Sequence, residues 1–246
     1  MRILLTIQYV GTNYHGWQIQ PGKTTVQGVL EDAIFKALNE KCETFASGRT
    51  DAGVHAYAQM AHFDTTTKID PQKISFVINK FLPDDVQVLK SEQVESTFNA
   101  RFDVKKKTYE YNFYVSNQVL PLLEQNHARV KPGFSFLLAK QACKHFLGEH
   151  DFVGFSSAGR QTKTTVRTIY SLDLLDLGNS TYKIVVTGNG FLYNMVRIIA
   201  GTLFEVGAGK IHPQDLPSII NSKDRSKAGK TSSAKGLVLK KVEYNI

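Results

Sequence analysis

Apolar residues Val26, Val29, Leu30, Ala33, Ile34, Ala37 and Leu38 fall three and four positions apart, the spacing of one helix face. They predict an amphipathic helix with Thr24 or Thr25 as its N-cap. Residues 2–9 predict a short strand before it, and 10–24 a loop rich in Gly, Asn and aromatics. After the helix, residues near 43–47 and the alternating stretch 58–64 predict two more strands. Asp70-Pro71 opens a second helix reaching about Asn79, and 86–94 predict a closing strand. Strand, helix, strand, strand, helix, strand is the split βαβ plan.

The second half repeats that order. Tyr109–Val115 predicts a strand, and 135–147 a helix with Phe136, Ala139, Cys143, Phe146 and Leu147 inward. Strands follow at 166–176 and 181–188, joined by a turn at Gly178-Asn179. Residues 190–206 predict an apolar helix, Pro213 starts a short one, and 237–244 a last strand. The expectation is an α+β chain of two ferredoxin-like (split βαβ) halves, 1–105 and 106–246.

Composition adds a partner. Of 246 residues, 42% are hydrophobic, enough for a packed core, and 21% are charged without a long polar tract. A formal charge of +8 and a pI near 9.3 favour an anionic partner: nucleic acid, an acidic membrane surface or a phosphorylated substrate. Cys42 and Cys143 are too far apart for zinc-ligand spacing and too few for a disulfide framework, which fits a cytoplasmic setting. No apolar run approaches the roughly 20 residues of a membrane span, and the N-terminus lacks a signal peptide's apolar region.

Several motifs fail on inspection. Gly229-Lys230-Thr231 resembles the end of a phosphate loop, but the glycine required five residues earlier is Asp224. Gly207-Ala208-Gly209-Lys210 continues with Ile211, which has no hydroxyl for a metal. Gly188-Asn189-Gly190 lacks the third glycine of a dinucleotide fingerprint. Asp51 and His55 are four apart, with His62 and Asp64 following, but Gly48 and Gly53 argue against a helix that would align the first two. No metal is expected.

The segment Gly48-Arg49-Thr50-Asp51-Ala52-Gly53-Val54-His55 lies between two predicted strands. Its glycines allow unusual backbone angles and close approach of another chain, with an acid between them. On these residues alone a plain turn is an equal reading. The segment resembles the signature of the TruA family of tRNA pseudouridine synthases. So do Tyr9-Val10-Gly11 through Gly16-Trp17-Gln18 with Gln20, and Thr25-Val26-Gln27. Asn99-Ala100-Arg101-Phe102, Lys107-Thr108-Tyr109-Glu110-Tyr111 and His150-Asp151-Phe152 are similar too. Arg167-Thr168-Ile169 and Phe191 through Arg197 with Gly201 extend the resemblance over almost the whole chain.

The resemblance implies an isomerase acting on uridines 38, 39 and 40 of the tRNA anticodon stem and loop. It implies antiparallel sheets joined around a central catalytic cleft, a homodimer with tRNA bound across both subunits, and no cofactor. Asp51 aligns with the catalytic aspartate and Arg49 with an arginine that handles substrate. Tyr109 aligns with the active-site tyrosine, and Arg197 with an arginine that pairs with the catalytic carboxylate. Departures are Lys235 before Gly236-Leu237, where an acid is common, Ser232-Ser233 where proline is frequent, and Tyr57-Ala58 in place of a smaller pair.

Phosphate contacts are expected from Lys105, Lys106, Lys107, Arg160, Lys163 and Arg167, and from the run Lys223, Arg225, Lys227, Lys230. The competing readings are a non-catalytic RNA-binding protein, which would have no need of Asp51, and a metal-dependent phosphodiesterase.

Overall fold

The computed structural model of the protein describes residues 1–159, 162 and 164–244. Arg160 and Lys163 therefore lie outside the described residues. The chain forms two compact units, Met1–Lys105 with Val238–Ile246, and Lys106–Leu237.

In the first unit, β1 (Arg2–Tyr9) is followed by α1 (Val26–Leu38), β2 (Phe45–Ala46), β3 (His55–Asp64), α2 (Ile74–Asn79) and β4 (Val86–Val94). β1 lies between β4 and β3, antiparallel to both, and β2 pairs antiparallel with β3. The spatial order is thus β4-β1-β3-β2. α1 runs over the predicted span. Thr25 caps it by accepting the Gly28 N–H, and Val26, Leu30, Ala33 and Ile34 are buried. The last strand, β10 (Leu237–Tyr244), returns to this unit, with Val238 and Leu239 parallel to His55 and Ala56 of β3. Its Tyr244 hydroxyl donates to the Ala100 carbonyl at 2.7 Å, closing a small core of Leu4, Phe98 and Ala100. The sequence pattern places this strand with the second half. Its residues from Val238 onward group with the first unit.

The second unit holds β5 (Val104–Val115), β6 (Ala128–Val130), α3 (Phe136–Cys143), β7 (Gly148–Asp151), β8 (Val166–Gly178), β9 (Thr181–Gly188), α4 (Met195–Gly207) and α5 (Leu216–Ser222). Its strands run β7-β8-β9-β5, with β6 parallel to β5. α4 is buried on nearly every side, as its apolar sequence demands. Tyr111, Phe113, Phe134 and Phe204 pack edge to face in the core.

Several boundaries differ from the sequence pattern. β3 starts at His55, because consecutive buried residues there break the alternation. β5 starts at Val104, its first residues masked by the lysines. α3 stops at Cys143 and tightens into a 3-10 turn, which leaves Leu147 41% exposed rather than inward. α4 starts at Met195, after Asn194 takes a left-handed conformation. β6 and β7 are too short to leave a periodic signal. Among the described residues no helix is long and apolar enough to cross a membrane.

Candidate active site

Asp51 sits in the loop between β2 and β3, half-buried, on a turn closed by the Val54 N–H donating to the Asp51 carbonyl at 3.1 Å. Gly53, third residue of that turn, has φ of 78°, the left-handed value that favours glycine. The opening loop, residues 10–17, lies flat against this segment. The Trp17 N–H donates to the Thr50 carbonyl at 3.0 Å and the Gly53 N–H to the Tyr14 carbonyl at 3.3 Å. Two glycines make that approach feasible. A Cβ on Gly11 would stand 2.0 Å from the Val54 carbonyl oxygen, and one on Gly16 2.6 Å from that of Thr50.

Side chains lock the loop from beneath. The Tyr9 and Thr50 hydroxyls share a buried hydrogen bond of 2.7 Å. Burial pushes the Tyr9 phenol well above its usual pKa, so it stays protonated. Gln59 is fully buried, donates to the Gly48 carbonyl at 2.9 Å and accepts from Ser47 at 2.7 Å. His55 Nδ1 accepts the Gly11 N–H at 3.1 Å, and His62 Nδ1 the Ala100 N–H at 3.2 Å. Both histidines thus serve the backbone. Arg49 is exposed on the same loop as Asp51.

Tyr109 and Arg197 belong to the second unit. Tyr109 is half-buried on β5, opposite Val186 of β9, with Phe191 edge-on at 5.2 Å. The same strand face continues into Tyr111 and Phe113, both fully buried. Arg197 stands on the first turn of α4. Its Nε donates to the Ser232 carbonyl at 2.8 Å and its Nη1 to Asn194 Oδ1 at 2.6 Å. The Ser232 N–H returns a bond to the Arg197 carbonyl at 3.1 Å. Residues 228–232 reach α4 because Gly201 has no side chain: a Cβ there would lie 1.8 Å from the Lys230 carbonyl oxygen.

The tRNA pseudouridine synthase family model matches residues 5–103 and 142–245. The chain is 46% identical over 243 residues to tRNA pseudouridine synthase A of Ruminiclostridium cellulolyticum, covering 99% of each chain. It is 47% identical to the enzyme of the same name from Caldicellulosiruptor bescii, over 98% of this chain and 99% of that one. The chain belongs to the TruA family of tRNA pseudouridine synthases. Like its family it is an isomerase that pseudouridylates tRNA. Among solved structures, one described as a Cbf5-Nop10-Gar1 complex aligns at 12% identity with a TM-score of 0.38, over 96% of this chain and 57% of that one. A likeness of that size bears on neither fold nor function.

For a tRNA pseudouridine synthase, the basic residues divide into two groups. Lys105 and Lys106 are exposed, with the Lys106 ammonium 6.0 Å from the Tyr170 ring centre, while Lys107 is half-buried in the ladder opposite Gly188. Lys227 and Lys230 are exposed. Other basic residues serve the fold. Arg167 Nη1 donates to the Thr164 and Val166 carbonyls, and burial lowers its pKa. Lys223 pairs with Asp151 at 2.9 Å, and Arg225 staples the Gly229 carbonyl and the Thr231 hydroxyl. Lys235, one of the departures from the family pattern, is paired with Glu124. The sequence pattern passes over Ser157 and Gln59, and it names Tyr9 and Asn194 only within matched motifs, without a role. Asn194 had a usable signal, since Asn tolerates the left-handed backbone that precedes this helix, but a helix begun at 190 hides it.

Proposed function

We propose that the protein converts uridine to pseudouridine at positions 38, 39 and 40 of the tRNA anticodon stem and loop, with Asp51 as the essential carboxylate. The target base is flipped out of its helix, at a cost of a few kcal/mol, before reaction. The N1–C1′ bond then breaks, the base turns, C5 bonds to C1′, and the C5 proton leaves as N1 gains one. Nothing is added, so the atoms balance without a cofactor. Whether the carboxylate attacks C1′ or takes a proton from the sugar, it must be ionised. Arg197 holds it so, Tyr109 stacks on the uracil, and Arg49 handles the RNA beside it. Stacking on an aromatic ring is worth roughly 1–3 kcal/mol per base. Lys105, Lys106, Lys107, Arg160 and Lys163 follow the phosphates, while Arg167, turned onto the Thr164 and Val166 carbonyls, braces the segment it lies in. The enzyme works in the cytoplasm as a homodimer with tRNA across both subunits.

The observation that carries this reading is the mounting of Asp51: backbone bonds, two close glycine contacts and a buried hydroxyl pair fix a loop whose acid stays half exposed. A plain turn has no need of that much support. The strand order β4-β1-β3-β2 supports a ferredoxin-like first half, and the β5-β9-β8 run supports a second. The test is Asp51→Asn, assayed by tritium release from C5-labelled uridine in tRNA. Release is expected to fall at least about a thousandfold with unchanged melting, since the loss of a group that acts on the reacting bond is of this order. Wild-type release would sink the assignment.

A further inference from the structure

We propose that Asn194 is a positioning residue for Arg197, anchored in turn by Ser157. The inference rests on the reading of Arg197 as the partner of the catalytic carboxylate. Asn194 precedes α4 at φ 61° and ψ 5°, a left-handed conformation that costs most residues but suits Asn and Gly. Asn is among the best helix N-caps, yet this side chain makes no cap bond. Both ends of its amide are turned elsewhere. Oδ1 accepts from Arg197 Nη1 at 2.6 Å, and Nδ2 donates to Ser157 Oγ at 2.9 Å. One orientation satisfies both bonds: the carbonyl oxygen must face the arginine, and the amide nitrogen the serine.

The guanidinium is thereby gripped at two points. Ser232 takes Nε, and Asn194 takes Nη1. Two bonds to one planar, rigid group fix its plane as well as its position. A third tie backs the grip: the Ser157 N–H donates to the Tyr193 carbonyl at 3.2 Å, so Ser157 holds this corner by backbone and side chain alike. Ser157 lies three residues before Arg160, at the head of the segment read as following RNA phosphates. The amide of Asn194 is thus the link between that segment and Arg197.

The test uses the full chain and an unmodified tRNA transcript, with single-turnover tritium release, KM and melting measured together. Asn194→Gly keeps the backbone conformation and removes both bonds. Its turnover is expected to fall roughly 10- to 100-fold with KM for tRNA within about twofold, since a charge-assisted hydrogen bond to a preorganised group is lost. Asn194→Asp retains an acceptor for Nη1 and is expected to recover most of the rate. Ser157→Ala should lose a few-fold, again in turnover. On an Arg197→Met background, Asn194→Gly should cost nothing further. Wild-type turnover in Asn194→Gly beside a damaged Arg197→Met overturns the proposal alone, and so does an additive loss in the double variant. If Asn194→Gly melts early, the Asp and Ser157 variants decide, and a loss in KM rather than turnover overturns it. Wild-type turnover in Arg197→Met overturns the reading of Arg197 and the proposal with it.

Discussion

Asp51 and Arg197 are mounted in opposite ways. Asp51 rides a loop held mainly by backbone contacts, with glycine Cα atoms pressed against carbonyl oxygens and a buried hydroxyl pair beneath. Arg197 stands on a regular helix, but its side chain is held by groups from separate segments, Asn194 and the Ser232 carbonyl. The first mount is made with a second backbone stretch, residues 9–17, and depends on small residues where the two come together. The second is distributed and depends on hydrogen-bonding groups. A loop that positions an acid needs its backbone placed, whereas a long flexible arginine needs its end placed.

The sharpest way to break the first mount is Gly11→Ala. The new methyl meets the Val54 carbonyl, and that backbone cannot yield as a side-chain tip would. A loss of about 2–3 kcal/mol is expected, from the range for forced overpacking. For a chain of this size that lowers the melting temperature by roughly 4–12 °C. Turnover should drop about a hundredfold as Asp51 shifts. Melting curves and tritium release check both, and a variant as stable and active as wild type would dissolve the contrast. Gly201→Ala tests the second mount. In a helix alanine is favoured by about 1 kcal/mol, but here its Cβ would strike the Lys230 carbonyl. Displacing residues 230–232 loosens Ser232 from Arg197, so turnover should fall about tenfold with a smaller change in melting. A stabilised, fully active variant would mean that residues 228–232 do not help to hold Arg197.

Smaller effects sharpen the comparison. Tyr9→Phe removes one hydrogen bond under Thr50 and should cost about 1 kcal/mol, with turnover reduced only a few-fold. A large loss of turnover without a loss of stability would make Tyr9 part of the chemistry rather than of the mount. The last test is acid. The Thr165 hydroxyl and then the Lys223 ammonium hold the Asp151 carboxyl below its usual range, and Asp151 also caps the turn leading to Ser157. A depressed folded pKa stabilises above the unfolded value of about 3.9, and that contribution disappears as pH falls through the folded value. Melting of the wild type should therefore decline on acidification below about pH 4 more steeply than that of Asp151→Asn. Parallel curves would remove Asp151 from the support.

The two mounts are not equally legible in the sequence. The Asp51 loop is one continuous segment, and its glycines show a permissive turn around an acid, which the resemblance then separates from a plain turn. Arg197 stands out only through resemblance, because Ser157, Asn194 and Ser232 meet only after folding. α1 is legible to its ends, since its apolar stripe and its Thr25 cap agree. β3 and β5 read too short for opposite reasons: His55 and Ala56 are both buried beside a parallel strand, and the lysines at the start of β5 mask a ladder with β9. Arg225 reads as one of a run of phosphate-contacting charges, yet it bonds the backbone of the segment it precedes. Charge in a sequence does not say whether a guanidinium faces water or a carbonyl.

The return of β10 to the first unit has a consequence for synthesis of the chain. Val238 and Leu239 complete the neighbourhood of His55 and Ala56, immediately after the Asp51 turn, yet the ribosome supplies them after all of the second unit. While that unit is being made, the early sheet waits with one edge of β3 uncovered at that end. Such long-range pairing slows folding and leaves a strand edge open to wrong partners. A nascent chain released before Val238 would carry every residue assigned to the reaction and still lack the strand that finishes the frame around Asp51.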